Sequence, residues 1–195
     1  MTTIASLSVS LDGFYTGVDP SPQQPMGKGG GALHGWFDHG IADRTQLTAD
    51  DVLRHELERT GAMVMGRDSY EHAQAAWGPR PPFRMPLYVV TNRPRRDEVR
   101  EGSTFHFVGS FDEAWALARY DADDLAVGLH GGGAIRQGLV GGYVDELQLH
   151  LVPVLLGLGR RLFDETVATA ARFEIAGVTE GSGVTHVTYR VQPSG

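Results

Sequence analysis

Apolar positions recur along this chain with two periods, and the switch between them sets out the elements. Residues 3–11 place Ile4, Leu7, Val9 and Leu11 among small or polar neighbours, as a strand with one face in a core does, and Asp12-Gly13 closes the strand with a turn signal. Thr48 with Asp51 three residues later is a variant capping box. Val52, Leu53 and Leu57 form the buried stripe of the helix it opens, and Gly61 is expected to stop that helix. Residues 62–65 read as a short buried strand ending at Gly66-Arg67, and residues 68–77 as a second helix. After a Pro-rich loop over 78–86, residues 87–90 form another buried strand that ends in Thr91-Asn92-Arg93, and Phe105 and Phe107 alternate around His106 in a further one. Ser110 and Glu113 make a capping box for a helix reaching about Tyr120.

The stretch 125–163 organises the rest. An apolar run over 125–129 leads into Gly131-Gly132-Gly133. Ala134, Ile135, Leu139 and Val140 are spaced for a short helix, and residues 144–151 alternate as a strand. Three glycines let a backbone take positive φ and let a ligand approach where no Cβ stands, while a following helix offers unpaired N–H groups and the positive end of its dipole. That is a seat for a phosphate or pyrophosphate; a tight strand-to-helix turn whose glycines serve packing alone explains the triplet equally well. The dinucleotide fingerprint with a further glycine three residues on is absent, because Arg136 stands there. Residues 173–179 and 184–191 are alternating runs joined at 180–183, a terminal hairpin. Strands alternating with helices and then pairing as a hairpin predict an α/β domain with a mostly parallel sheet and antiparallel edge strands. In such sheets ligands sit beyond the carboxyl ends of the strands, where the three turns at Gly66, Thr91 and Gly131 would lie side by side.

Composition narrows the chemistry. The 195 residues, 41% hydrophobic and 21% charged, suit one soluble domain over 1–195. A net charge of −7 without a long basic run argues against nucleic acid and anionic membrane as partners. With no cysteine, disulfides, thiol catalysis and cysteine-ligated metals are excluded. Residues 1–11 carry no basic leader, and Pro153, Gly157 and Gly159 interrupt the longest apolar tract, so a cytoplasmic location is expected. The eight histidines follow no metal spacing and no metal is expected, although His34 with His39, or His150 with His186, could meet in space. No G-x-S-x-G turn points to a serine hydrolase. The Gly/Pro-rich segment 15–35 is too irregular for a helix and long enough to be a functional lid or an excursion.

The motifs SLDGF at 10–14, VMGRDSYE at 64–71, VVTNRPR at 89–95, GGGAI at 131–135, the block over 139–163 and GVTHVTYRV at 183–191 together resemble the dihydrofolate reductase-like proteins related to the reductase domain of bacterial riboflavin biosynthesis. The resemblance implies a three-layer fold, with a central twisted sheet of about eight mostly parallel strands, an antiparallel C-terminal hairpin and helices on both faces. It also implies NADPH as cofactor. Gly66, Arg67 and Ser69 match positions that hold the cofactor's phosphates, Thr91, Asn92 and Arg93 match the turn for the adenosine 2′-phosphate, and Gly131, Gly132, Gly133, Ala134 and Ile135 match the pyrophosphate turn. A guanidinium fork suits that role because it donates two charge-assisted bonds to phosphate oxygens. Arg67 paired with Asp68 or Glu71 on its own helix is the alternative.

For the substrate, the resemblance puts an acid near Asp50 and Asp51, which first-turn capping explains as well. Asp12, at the end of the first strand, is the expected proton donor. Trp36 is expected to stack on a flat heterocycle or to fill core, and Tyr70 stands where the family carries an aromatic. The implied activity is an NADPH-dependent reductase acting on a small heterocycle, with a non-catalytic nucleotide- or pterin-binding module and dihydrofolate reduction proper as rivals. A homodimer is expected, its contact including residues 144–156, read as lying partly at an edge or a bulge because of Pro153, or the terminal hairpin.

Overall fold

Side-chain alternation along the central strands sorts the interior into two layers, one on each face of a single sheet. The computed structural model describes residues 2–37 and 49–194. Six strands run parallel: β1 (Thr3–Ser10), β3 (Thr60–Gly66), β4 (Pro86–Val90), β6 (Ser103–Val108), β7 (Ala126–His130) and β8 (Glu146–Val152). With β5 (Glu98–Arg100) and the hairpin β10 (Ala171–Gly181) and β11 (Val184–Pro193), all antiparallel to their neighbours, they make a nine-stranded sheet in the order β10-β11-β8-β1-β7-β3-β4-β6-β5. This is the mostly parallel α/β sheet with an antiparallel terminal hairpin that the pattern predicts, one strand wider than the resemblance implies.

One face carries Ala5, Val9, Ala62, Val64, Tyr88, Val127, Leu129, Leu147 and Leu149. They are covered by α3 (Phe111–Asp121), α4 (Gly132–Val140) and α5 (Glu165–Ala170) through Phe111, Ala114, Ile135, Leu139 and Val167. The other face is set by the alternate residues Met63, Met65, Leu87, Val89 and Phe105. It is covered by α2 (Arg67–Trp77) through Tyr70 and by α1 (Ala49–Glu58), while a 3-10 helix (Gly30–Phe37) lays Leu33 and Trp36 over Val152 and Val184. Ser110 caps α3 as expected, its side chain accepting from the Glu113 N–H.

Several expectations are corrected. Thr48 lies outside the described residues, and Gly61 does not stop α1. The helix ends at Glu58, where the Thr60 hydroxyl donates to the Glu56 carbonyl at 2.8 Å, and Gly61 is inside β3, where a Cβ would stand 2.5 Å from the Ala122 carbonyl oxygen. The segment 15–35 does contain helix, the 3-10 turn, and also the strand β2 (Phe14–Thr16), paired with β9 (Arg160–Arg161). Residues 146–152 are no edge, because β8 bonds β1 on one side and β11 on the other. Among the described residues the sheet ends in the long strand β10 on one side and the three-residue β5 on the other. The pattern also passed over β5, β9 and α5, the last announced by Asp164, whose side chain accepts from the Val167 N–H.

Candidate functional site

β7, β3 and β4 are neighbours in the sheet, so the turns that follow them meet at its carboxyl edge. Gly66 is the N-cap of α2 and Gly131 the N-cap of α4, and neither helix start carries a side-chain cap, in contrast to Ser110 on α3 and Asp164 on α5. First-turn N–H groups without a protein partner are the usual means of holding an anion. Arg67 ties two of the turns together by donating to Asn92 Oδ1 at 3.1 Å. Its guanidinium also faces Asp68 at 3.6 Å and Glu71 at 3.8 Å, so the within-helix pairing weighed from the sequence is present, yet its buried Nε has no hydrogen bond. Thr91 Oγ1 accepts from the Arg93 N–H, and the exposed Arg93 guanidinium reaches Glu71 at 4.0 Å.

The three glycines of the third turn meet different surroundings. Gly131 has φ +82°, and a Cβ there would stand 2.0 Å from Ser69 Oγ, which packs the starts of α2 and α4 together. A Cβ on Gly132 would enter the Tyr15 ring, whereas Gly133, like Gly66, faces open space. Packing therefore accounts for Gly131 and Gly132, whereas at Gly133 no protein atom stands in the way of a side chain. Ala134 and Ile135 are buried, leaving only their backbone to contribute. Tyr15, the wall of this turn, was read from the sequence merely as the start of a loop.

Asp12 is engaged by its surroundings. Its carboxylate accepts from Ser10 Oγ at 2.6 Å and from the Leu156 and Gly157 N–H groups at 3.2 and 2.7 Å, and Arg161 donates to its carbonyl at 2.6 Å. The Ser10 hydroxyl and those two backbone N–H groups hold its pKa at about 2. Through these bonds its carboxylate fastens the 153–161 loop to the end of β1. Trp36 is only 3% exposed and donates to Ser8 Oγ at 3.1 Å, so it fills core and offers no free face to a ligand. Tyr70 is likewise buried, its hydroxyl donating to Glu98 Oε2 at 2.5 Å. Asp50 and Asp51 fall in α1 with side chains outside those described.

Near this edge, the sheet face beneath α1 and the 3-10 helix is polar where a covered face is ordinarily apolar. Ser6 lies beside His130 in the register, Ser8 beside His150, and His150 beside His186. His150 Nε2 contacts Ser6 Oγ at 2.9 Å, and the Nδ1 atoms of His150 and His186 are 2.8 Å apart, so one of the two histidine meetings allowed by the sequence occurs. His39 lies outside the described residues. Among those described, the buried side-chain atoms without a hydrogen bond are Glu56 Oε1, His130 Nδ1, His186 Nε2 and Arg67 Nε. Three of the four belong to this face and the fourth to the adjoining turn. Because most buried polar atoms are satisfied, that concentration singles the region out as a candidate site. Burial pushes His130 and His186 down to about 4, aided by His34 and His150 respectively, so both rings are neutral at pH 7. Among the described residues no group of three or more His, Cys, Asp or Glu is arranged to hold a metal ion. No helix among them is long and apolar enough to cross a membrane. The legible signal for this face was the alternation of Ser6, Ser8 and Ser10 with Leu7 and Val9; Glu56 had none.

The chain is similar along its whole length to solved structures. A protein of Shewanella sp. PV-4 assigned to riboflavin biosynthesis is 21% identical, with a TM-score of 0.71 over 98% of this chain and 99% of that one. A diaminohydroxyphosphoribosylaminopyrimidine deaminase/5-amino-6-(5-phosphoribosylamino)uracil reductase of Thermotoga maritima is 12% identical with a TM-score of 0.61, and this chain, 97% covered, spans 56% of it. Dihydrofolate reductase of Enterococcus faecalis, solved with NADP(H), is 18% identical with a TM-score of 0.56 over 98% and 96% of the two chains. These likenesses show a shared dihydrofolate reductase-like three-layer fold. No curated protein matches the chain. The model of the RibD C-terminal domain matches residues 2–187, and the chain, with its paired helix starts at one edge of this sheet, belongs to that family.

Proposed function

We propose that this chain is an NADPH-dependent reductase that moves hydride to an electron-poor C=N or C=O bond of a small pyrimidine- or pterin-like heterocycle. The observation that carries the reading is the pair of uncapped helix starts, α2 at Gly66 and α4 at Gly131, set side by side with open backbone at Gly66 and Gly133 and the Arg67 guanidinium between neighbouring turns. That surface fits the cofactor's phosphates: N–H groups and helix dipoles favour anions, and Gly66 and Gly133 leave room for close approach. Thr91, Asn92 and Arg93 would take the 2′-phosphate, with the exposed Arg93 fork free to leave Glu71 for a stronger charge-assisted partner. When bound, the reduced nicotinamide supplies the hydride.

The chain's own part is orientation and proton handling. Asp12 orders the 153–161 loop at the end of β1, and Tyr15 walls the glycine turn. The hydroxyls of Ser6 and Ser8 and the imidazoles beside them present donors and acceptors suited to the polar edge of a flat ring, while Trp36 packs over them. Both the uracil reductase and the folate reductase to which the chain is similar are named for nitrogen heterocycles of that kind.

The test is NADPH binding by fluorescence titration, followed by nicotinamide absorbance in the presence of ribosylaminopyrimidines, pterins and flavins. Oxidation of NADPH that depends on one of these acceptors is expected. Tight binding with no turnover across the series would make the chain a binding module, and no binding would remove the reading altogether.

A further inference from the structure

Both Asp12 carboxylate oxygens are occupied, accepting from Ser10 Oγ and the Leu156 and Gly157 N–H groups, so the geometry favours another group for the proton that accompanies hydride delivery. The buried unpartnered atoms of the polar face point to one. Glu56 Oε1, on α1, lies 3.3 Å from His150 Nε2, in ion-pair range but not aligned as a hydrogen bond, and its side chain is only 14% exposed. The ring of Trp36 stands 5.1 Å from both His150 and His186 and packs against the pair. The titratable groups facing it are Glu56 from α1, His34 from the 3-10 helix, His130 from β7, His150 from β8 and His186 from β11.

We propose that Glu56, His150 and His186 form one proton-sharing unit and that this unit supplies the proton to the reduced substrate, the second half resting on the reductase reading above. Two nitrogens 2.8 Å apart require one ring to donate and the other to accept. If His186 donates, His150 carries its proton on Nε2, toward Ser6 Oγ and Glu56. If His150 donates, its bare Nε2 faces the carboxyl group, an arrangement favoured by a proton on Glu56. The second arrangement is the first plus one proton taken up at His186 Nε2, with each intervening proton shifted across one contact. A proton taken up at one end of the unit is thereby presented at Glu56, at the other. In the reaction, hydride adds to the electrophilic carbon, the π pair moves to nitrogen or oxygen, and that atom takes the Glu56 proton. The reductant is the reduced nicotinamide, and Glu56 is left as carboxylate until the rings exchange tautomers and a second proton enters.

The full chain, labelled with ¹⁵N-histidine and free of ligand, is compared as wild type, Glu56→Gln and His186→Asn between pH 5 and 9. Glu56→Gln is expected to move the ring-nitrogen signals of His150 and His186 together while leaving His106, bonded to Asp97 at a distant edge, in place. A change in one ring alone, or in neither, overturns the shared proton. In rapid mixing with NADPH and the acceptor found above, Glu56→Gln is expected to slow hydride transfer about 10²–10⁴-fold with NADPH affinity within a few-fold, and Glu56→Asp to recover part of the loss. His186→Asn is expected to displace the pH profile of the same step. A Glu56→Gln rate within a few-fold of wild type overturns the role in proton supply. A wild type that oxidises NADPH with no acceptor refutes the reductase reading instead, and the spectra still decide whether the proton is shared.

Discussion

Gly133→Ala separates a cradle for a ligand from a turn that merely needs to be tight. Gly131 and Gly132 cannot make that distinction. At Gly131 an alanine must adopt φ +82° and meet Ser69 Oγ, and at Gly132 its methyl enters the Tyr15 ring, so each is expected to cost about 1–3 kcal/mol of stability as strain or overpacking, whatever the function. The Gly132 penalty should largely vanish in a Tyr15→Ala background, since the two side chains compete for one volume. Gly133 is different. It lies in the first turn of α4 with no positive φ and nothing within 4 Å of a built Cβ, so alanine there meets no protein atom. Replacing a helical glycine contributes up to about 1 kcal/mol through backbone entropy. The expected outcome is a urea midpoint equal to or above wild type, together with NADPH affinity at least about tenfold weaker, a loss of ~1.4 kcal/mol, because the methyl stands where backbone should approach phosphate. Urea unfolding followed by far-ultraviolet circular dichroism and NADPH fluorescence titration on the same preparation measure both. A Gly133→Ala protein that is stable and binds NADPH as wild type does would refute the cradle and leave all three glycines to packing.

Arg93→Ala is expected to weaken NADPH by about 1.5–3 kcal/mol and NADH hardly at all; equal losses in paired titrations would remove Arg93 from the 2′-phosphate role. Stability should fall as the solution is acidified. His130 and His186 have folded pKa values near 4, below the unfolded 6.5, so the unfolded chain binds more protons between these values, and on the order of 3 kcal/mol per ring is lost across that window. A urea midpoint that stays flat from pH 7 to 4.5 would contradict the buried neutral rings. Asp12 adds a second window of the same sign, present above about 3.8 and lost as pH falls toward 2, which Asp12→Asn should abolish in acid unfolding curves. A homodimer is expected to form through the open edge strand β10, whose Ile175 and Val178 are 64% and 59% exposed; sedimentation at the 21.1 kDa of one chain at micromolar concentration would exclude it.

Period and punctuation in the sequence determined which segments are strands and helices, the order in which they follow, and the three turns at Gly66, Thr91 and Gly131. Those features depend on residues near one another in the chain: alternation of Met63 and Met65 with Ala62 and Val64, a serine cap at Ser110, a glycine where φ is positive at Gly131. The family, too, was legible in motifs of that local kind. Only tertiary structure decided what each side chain faces. Asp12 was a strand-end acid in the sequence and became the fastener of a loop about 145 positions on, because backbone N–H groups at 156 and 157 have no signature of their own. Gly61 looked like a helix stop and proved to be a point of contact with Ala122, and residues 146–152 lost the role of edge when β11 folded back beside them. Glu56 is one of several acids on an ordinary helix until α1 is laid over β8. His150 and His186 come together because the hairpin register sets them opposite one another. The carboxyl edge of the sheet is thus predicted by local pattern, whereas the polar network on its face consists of contacts between residues 36 to 144 positions apart, which no short-range pattern encodes.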